Sequence, residues 1–202
     1  IKNQPPLFHN ILTSLIARLD VHSVDWIGTS MGGLLGMEIA AQKASPIQRL
    51  ILNDIGPFVS GASRQANAAL ANAAGEYETE AEAIAFVLES KKAFGPFTEE
   101  AAHKFALDSI SRSSDGKWRM HYDPMITHSR RKLDTDLWDA WKRICCPVLT
   151  IWGEESTLLS EETVQKMRSI GPKTNLLSMP GIGHCPGLTS SIEIDTIKNF
   201  LN

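Results

Sequence analysis

The sequence has no excess of one charge, no long apolar run and no leader-like start, and each shortage excludes a class of protein. The net charge is −3 in 202 residues and the pI is about 6.1, so the composition gives no attraction to nucleic acid or to anionic lipid. No apolar stretch approaches the roughly 18 residues that a membrane-spanning helix needs. The first residues also lack the apolar segment of a secretory signal. We therefore expect neither nucleic acid nor a membrane as a partner.

Cysteine is scarce and shows no regular spacing. The chain has three cysteines, Cys145, Cys146 and Cys185, and an odd number without a framework of spacings is typical of free thiols in a reducing compartment. Adjacent cysteines rarely bond to each other, and neither Cys145 nor Cys146 has a histidine at metal-ligand spacing. We expect a cytoplasmic protein without a metal site, whose three thiols are small buried side chains.

What the sequence does contain is an ordinary globular composition, with 43% hydrophobic and 21% charged residues, enough apolar surface for a sizeable core. The apolar pattern first predicts a helix over 9–20. A βαβ unit follows, with strands over 24–28 and 49–53 around a helix over 31–44. Consecutive strands joined in this way lie parallel in one sheet.

The pattern changes twice further along the chain. Between residues 57 and 141 the strand-like runs disappear and Ala, Glu and Lys dominate, which predicts an all-helical insertion. Strands then return over 147–153 and 175–179, each followed by a predicted helix. The sequence therefore predicts an α/β fold with a mostly parallel sheet, in which residues 1–56 and 142–202 form the core and residues 57–141 form a helical cap.

A G-x-S-x-G motif occupies residues 28–32, between the first predicted strand and the helix after it. A strand that turns into a helix within one residue forces strained backbone there, and Gly28 and Gly32 are expected to remove side chains where the two elements would collide. The turn would raise the hydroxyl of Ser30 above the sheet and aim the backbone N–H of Met31 at a developing oxyanion. The alternative is a glycine-rich turn in which Ser30 merely caps the helix. The strand-to-helix context favours a nucleophile.

A serine nucleophile needs a base, and His184 lies in a glycine-flanked loop after the last predicted strand. A parallel sheet would bring that loop to the same carboxyl edge as Ser30. Taken alone, a loop histidine is more often a surface residue, but its pairing with the motif favours a base. The other histidines are expected to be structural or solvated: His9, His22, His103, His121 and His128.

These segments together resemble the α/β-hydrolase fold family, most closely the cap-bearing bacterial serine hydrolases akin to enol-lactonases and carbon–carbon bond hydrolases. The resemblance covers the chain from residue 9 onward and rests on four stretches: residues 28–33, 52–57, 118–124 and 181–184. It implies a mostly parallel sheet, a helical cap over the site, and hydrolysis through an acyl-enzyme without a cofactor.

The first departure from this family concerns the acid of the triad. Family members carry Asp a few residues after the strand that ends in Trp-Gly, where this chain has Thr157. Asp54, at the end of the preceding strand, is a substitute that some members of the fold use, although Asp54 could equally be a turn-forming residue before Gly56-Pro57. Glu154 or Glu155 could also reach the histidine, but such a charge run is usually solvated. We predict that Asp54 orients His184.

The second departure is upstream. Relatives carry several strands before the motif, and a loop after one of them donates a second oxyanion N–H; this chain opens on a residue other than Met and enters a helix almost at once. Losing one such donor costs about 10²–10³-fold in rate. We therefore expect either an incomplete sequence of a normal enzyme or a truncated product, and in both cases a chain that does not work alone as given.

The leading hypothesis is a hydrolase of small esters, lactones or related acyl compounds, with Ser30 as nucleophile, His184 as base and Met31 as oxyanion donor. A serine at this position argues against the epoxide hydrolase and dehalogenase branches, which use Asp. The main alternative is a non-catalytic protein of the same fold that binds a small ligand or partner, and an acyltransferase is a third. Four cap aromatics either line a pocket or pack within the cap: Trp118, Tyr122, Trp138 and Trp141.

Overall fold

The main feature of the computed structural model is a sheet of four parallel strands. The structure describes residues 5–90, 92, 94–123 and 133–202. In these ranges the strand order is β1-β2-β7-β8, all parallel. The strands are β1 (Val24–Thr29), β2 (Ile47–Asn53), β7 (Val148–Gly153) and β8 (Thr174–Met179). The predicted parallel sheet is confirmed, with strand bounds within two residues of the expected ones.

Helices cover both faces of this sheet. They are α1 (Pro5–Arg18), α2 (Met31–Ala40), α6 (Trp138–Arg143), α7 (Glu161–Ser169) and α8 (Ser191–Leu201). One face of the sheet packs on α2, α6 and α7 through a cluster that includes Leu50, Leu52 and Trp141. The other face, with Ile51 and Ile151, packs against α8. The central strands β2 and β7 are buried along most of their length because helices cover both faces.

The segment between β2 and α6 carries its own small core. It contains β3 (Phe58–Val59), α3 (Gly61–Asn72), α4 (Glu80–Ser90), α5 (Glu99–Asp108), β4 (Ile110–Arg112), β5 (Trp118–Met120) and β6 (Thr135–Asp136). Helices α4 and α5 pack around Ala83, Val87 and Ala106, which are buried. A threonine caps the start of each helix, since Thr79 accepts a hydrogen bond from Glu82 N–H and Thr98 accepts one from Ala101 N–H.

The expectation of an all-helical insertion is wrong, because two antiparallel strand pairs lie within it. β3 pairs with β6, and β4 pairs with β5. These strands are two or three residues long, too short to show an alternating apolar pattern. The β4–β5 pair had a usable signal in Asp115-Gly116, a dipeptide typical of tight hairpins, where Gly116 has a φ of 87°.

The parallel arrangement brings the carboxyl ends of the four main strands to one edge of the sheet. The residues that follow these strands are Ser30 after β1, Asp54 after β2, the 154–159 loop after β7 and the 180–190 loop after β8. Ligands of open α/β sheets bind at this edge. Among the helices that the structure describes, none combines the length and apolar character needed to cross a membrane.

Candidate active site

Ser30 occupies a sharp turn between β1 and α2. Its φ of 50° and ψ of −114° lie outside the regions that a non-glycine residue prefers, a conformation that costs about 1–3 kcal/mol and clusters at functional sites. Its N–H donates to the carbonyl oxygen of Asn53 at 3.2 Å, which ties the turn to β2. The Ser30 hydroxyl makes no capping hydrogen bond to α2. This geometry disfavours the helix-cap alternative.

Two glycines allow this close approach of strand and helix, and only one of them is among the two that were expected. A Cβ on Gly28 would lie 2.5 Å from backbone atoms of Gly32 and Gly33, so Gly28 is required as predicted. A Cβ on Gly32 would meet no atom within 4 Å, so the expectation for Gly32 is wrong. The crowded position is Gly33, where a Cβ would overlap the side chain of Ile55. The helix turns its Gly33 side toward β2 and its Gly32 side away from it.

Met31 is the first residue of α2. Its N–H therefore belongs to the first turn, whose N–H groups have no acceptor within the helix. The positive end of the helix dipole lies at the same place and favours a negative charge beside Ser30.

His184 and Asp54 form a direct pair. Nδ1 of His184 lies 2.6 Å from Oδ2 of Asp54, and both side chains are buried, with exposed fractions of 9% and 0%. A carboxylate only accepts hydrogen bonds, so Nδ1 carries the proton and Nε2 keeps a free lone pair. Asp54 has a φ of 53°, a left-handed conformation that Asp tolerates better than most residues. Asp54 thus forms a tight turn and also contacts the histidine.

The loop after β7 holds this carboxylate on its other side. Gly153 N–H donates to Oδ1 of Asp54 at 3.0 Å, and the Ser156 hydroxyl donates to Oδ2 at 2.6 Å. Glu154 and Glu155 are exposed, as expected of a solvated charge run, and Thr157 is exposed as well. Among the hydrogen bonds and ion pairs of the described residues, none joins these three side chains to His184. The loop in which the resemblance leads us to expect the acid instead donates hydrogen bonds to Asp54 of the neighbouring strand.

Two buried polar residues position the loop of His184, and neither role was predicted from the sequence. The side-chain amide of Asn53 donates to Thr29 Oγ1 at 3.1 Å and to the carbonyl oxygen of Pro186 at 3.0 Å, so it links the end of β1 to this loop. Glu193 is fully buried and accepts from the N–H groups of Leu188, Thr189 and Ser190. The signal for Asn53 was a polar residue ending an otherwise apolar strand.

The insertion contacts the same loop through residues 94–97. Gly95 N–H donates to the carbonyl oxygen of Cys185 at 3.1 Å, and Gly187 N–H donates to that of Gly95 at 2.8 Å. The ring of Phe94 meets the His184 ring edge-on, with centroids 6.0 Å apart. The insertion therefore borders the histidine itself.

The cap aromatics pack instead of lining this edge. Trp118 packs in the cap core, Tyr122 is half-buried, and Trp141 is buried with its Nε1 donating to Ile170 O. Trp138 borders a separate cleft of about 760 Å³ beside α1, α2, α6 and α7, which includes His9, Glu38 and Lys166. Burial raises the pKa of Glu38 there, while the charge of His9 opposes that rise.

The remaining predictions have mixed outcomes. His22, His103 and His121 are exposed and His9 is half-buried, whereas His128 lies outside the described residues. None of the three cysteines, all of which lie in the described ranges, forms a disulfide. Cys185 is buried, but Cys145 is exposed and Cys146 only half-buried, so the expectation that all three are buried is wrong. After α6 the side chain of Ile144 points into the core and is buried, whereas that of the next residue, Cys145, points to solvent.

Comparison with known proteins decides the family. A model of the alpha/beta hydrolase family matches residues 6–193 of the chain. The chain belongs to the alpha/beta hydrolase family. The expected α/β-hydrolase fold, with its parallel sheet and flanking helices, is confirmed.

This alpha/beta hydrolase is similar in sequence to two named enzymes. It is 32% identical over 206 aligned positions to the 3-hydroxybutyrate-oligomer hydrolase of Cupriavidus necator, with 96% of this chain and 70% of the relative covered. It is 24% identical over 178 positions to the 2-(acetamidomethylene)succinate hydrolase of Mesorhizobium japonicum, with 87% and 63% covered. The chain thus spans about two thirds of the length of these relatives.

A solved structure of a hydrolase has the same fold as this chain. The chain superposes on a candidate hydrolase from Rickettsia typhi with a TM-score of 0.90 and 30% identity, covering 98% of this chain and 69% of that one. This alpha/beta hydrolase is an enzyme of the hydrolase class, and the substrates in its relatives' names are small molecules. The roles of Ser30, His184, Asp54 and Met31 stay predictions.

Proposed function

We propose that this hydrolase cleaves small esters, lactones or related acyl compounds through an acyl-enzyme on Ser30. The observation that carries the proposal is the buried 2.6 Å contact between His184 Nδ1 and Asp54 Oδ2. It fixes the histidine tautomer whose Nε2 is free to accept a proton, at the sheet edge that also bears the strained Ser30.

In the proposed reaction, Ser30 Oγ attacks the substrate carbonyl carbon while His184 Nε2 takes the hydroxyl proton. Asp54 accepts from Nδ1 and stabilises the imidazolium that forms. The N–H of Met31 donates to the developing oxyanion, aided by the dipole of α2. His184 then gives the proton to the leaving alkoxide, and a water molecule activated by His184 hydrolyses the acyl-enzyme.

For the substrate, we propose the ester bonds of 3-hydroxybutyrate oligomers as the first class to test. The support is the relative of that name, which aligns with 96% of this chain. Such an oligomer supplies an acyl group for Ser30 and a hydroxyl leaving group for His184. Because fold alone does not fix the substrate, a p-nitrophenyl butyrate assay and a lactone assay should run in parallel.

The experiment has two arms on the purified full-length protein. A serine-directed phosphonate should label Ser30 and stop ester turnover, and Ser30→Ala should remove both the labelling and the turnover. In the second arm, Asp54→Asn should lower kcat by about 10⁴-fold, because the amide favours the wrong tautomer of His184. Mass spectrometry of the labelled peptide and steady-state kinetics give the readouts.

Matched variants in the β7 loop make the result specific. Glu154→Gln and Thr157→Ala change an exposed acid and the residue that replaces the usual acid, and both should keep kcat within about threefold, as for surface changes. Absence of labelling would favour the non-catalytic alternative. Full activity of Asp54→Asn would remove Asp54 from the mechanism.

A further inference from the structure

We infer that Ser156 is a positioning residue for the acid, holding the Asp54 carboxylate in the orientation that serves His184. This inference rests on the proposed function. It concerns a side chain that neither the motif nor the proposed triad includes, in the loop after β7.

The first observation is that two side chains share one oxygen atom. Oδ2 of Asp54 lies 2.6 Å from His184 Nδ1 and 2.6 Å from Ser156 Oγ. Oδ1 accepts from the backbone N–H of Gly153 at 3.0 Å. With donors on both oxygens, rotation of the fully buried carboxylate would break at least one hydrogen bond.

The second observation fixes the direction of the serine hydroxyl. Oγ of Ser156 accepts from the N–H groups of Leu158 at 3.2 Å and Leu159 at 3.1 Å. A hydroxyl has two acceptor lone pairs and one proton. With both lone pairs engaged, the proton is left to point at Asp54, so Ser156 is a preorganised donor and cannot act as an acceptor there.

The third observation is that the loop itself is tied to the loop of the histidine. Glu155 N–H donates to Ile182 O at 2.9 Å, and a Cβ on Gly153 would overlap the carbonyl oxygens of Ile182 and Gly183. The β7 loop therefore cannot move relative to His184 without losing this packing. Ser156 places its donor on a support that also positions the base.

The hydroxyl has an electrostatic consequence as well as a geometric one. Its hydrogen bond takes up part of the negative charge of Asp54 and so weakens the attraction of that carboxylate for protonated His184. Without it, His184 should hold its proton to higher pH. The proposed mechanism requires neutral His184 in the free enzyme. The acid limb of the pH profile of kcat/KM should therefore move to higher pH.

The test is Ser156→Ala, measured as the pH profile of kcat/KM for p-nitrophenyl butyrate. We expect kcat to fall by roughly tenfold, the effect of one hydrogen bond to a charged group, and the acid limb to rise by roughly half a pH unit. Ser156→Cys keeps the side-chain size but donates weakly, so it should show the same shift and serves if Ser156→Ala folds poorly. The matched control is Thr157→Ala, an exposed neighbouring hydroxyl, which should leave the profile unchanged.

Two results would overturn the inference. One is an unshifted acid limb in both Ser156 variants, which would leave Ser156 as a residue of the turn alone. The other is a Ser156→Ala effect that persists in full when Asp54 is Asn, because a residue acting through Asp54 should add little once that carboxylate is gone. The proposed function fails separately, through full activity of Asp54→Asn itself.

Discussion

Asp54 meets two demands that conflict at the level of a single residue. Its backbone lies in the left-handed region, where side chains are disfavoured, and its carboxylate is fully buried, where a charge is costly. Hydrogen bonds from Gly153, Ser156 and His184 offset the cost of burial. A turn-forming residue alone has no need of such partners, which is why the proposed role in orienting His184 explains more of what surrounds Asp54.

The space around the motif glycines predicts how alanine substitutions at Gly28 and Gly32 change the stability of the protein. Gly28→Ala should destabilise the protein by about 1–3 kcal/mol or more, because its Cβ would lie 2.5 Å from the backbone of α2. Gly32→Ala is the matched control, since its Cβ would meet nothing within 4 Å and Ala favours a helix by about 0.5–1 kcal/mol. Urea unfolding measures both. Equal destabilisation by the two substitutions would contradict this account of the turn.

At the scale of elements, the same capping motif occurs in two environments. The box of Thr79 and Glu82 opens α4 in an exposed position, whereas the box of Ser190 and Glu193 opens α8 with its carboxylate buried. Glu193 also receives the N–H groups of Leu188 and Thr189. The buried box therefore fixes the course of the loop before α8 as well as the start of the helix.

This difference predicts unequal effects of one substitution. Glu193→Gln should cost about 1–3 kcal/mol or more, because the amide turns an N–H₂ group toward backbone donors and leaves a buried donor without an acceptor. Glu82→Gln should cost less than about 1 kcal/mol, because water reaches its partners. Denaturant unfolding of the two variants provides the comparison. A similar cost at both positions would mean that burial of Glu193 is unimportant.

The sequence predicted those elements whose signals are local. The motif around Ser30 and the four main strands each lie within a short stretch, and so they could be recognised without a structure. The hydroxyl of Ser156 could not, because its partner Asp54 is 102 residues away and a serine in a polar loop carries no distinguishing pattern. The β3–β6 pair was missed for the same reason, since it joins Val59 to Thr135 through strands of two residues.

At the scale of the whole molecule, the insertion and the sheet meet at the proposed base. Three phenylalanine rings connect α5 to the histidine. The ring centroid of Phe105 lies 5.5 Å from that of Phe97 and 6.3 Å from that of Phe94, and the Phe94 ring contacts His184. Under the proposed mechanism the acyl group reacts next to His184, and we expect Phe94 to border it.

Phe94→Ala should broaden acyl selectivity. Removing the ring opens space next to His184, so the kcat/KM ratio of p-nitrophenyl octanoate to p-nitrophenyl butyrate should rise by about tenfold, the scale of small changes in an apolar pocket. The control is Phe86→Ala, which removes a cap ring that contacts Tyr77. It should lower the melting temperature and leave the ratio unchanged. An unchanged ratio in Phe94→Ala would place the acyl group elsewhere.

The hydrogen bonds of Gly95 and Gly187 have a consequence for how such an enzyme can diversify. Both use only backbone atoms, which side-chain substitutions at the other positions of the insertion leave in place, whereas Gly95 itself, with a φ of 137°, favours glycine. Substitutions that reshape the side chains of the insertion therefore leave its attachment to the histidine loop in place. Under the proposed mechanism, new substrate preferences can accumulate in the insertion while the position of the proposed base stays the same.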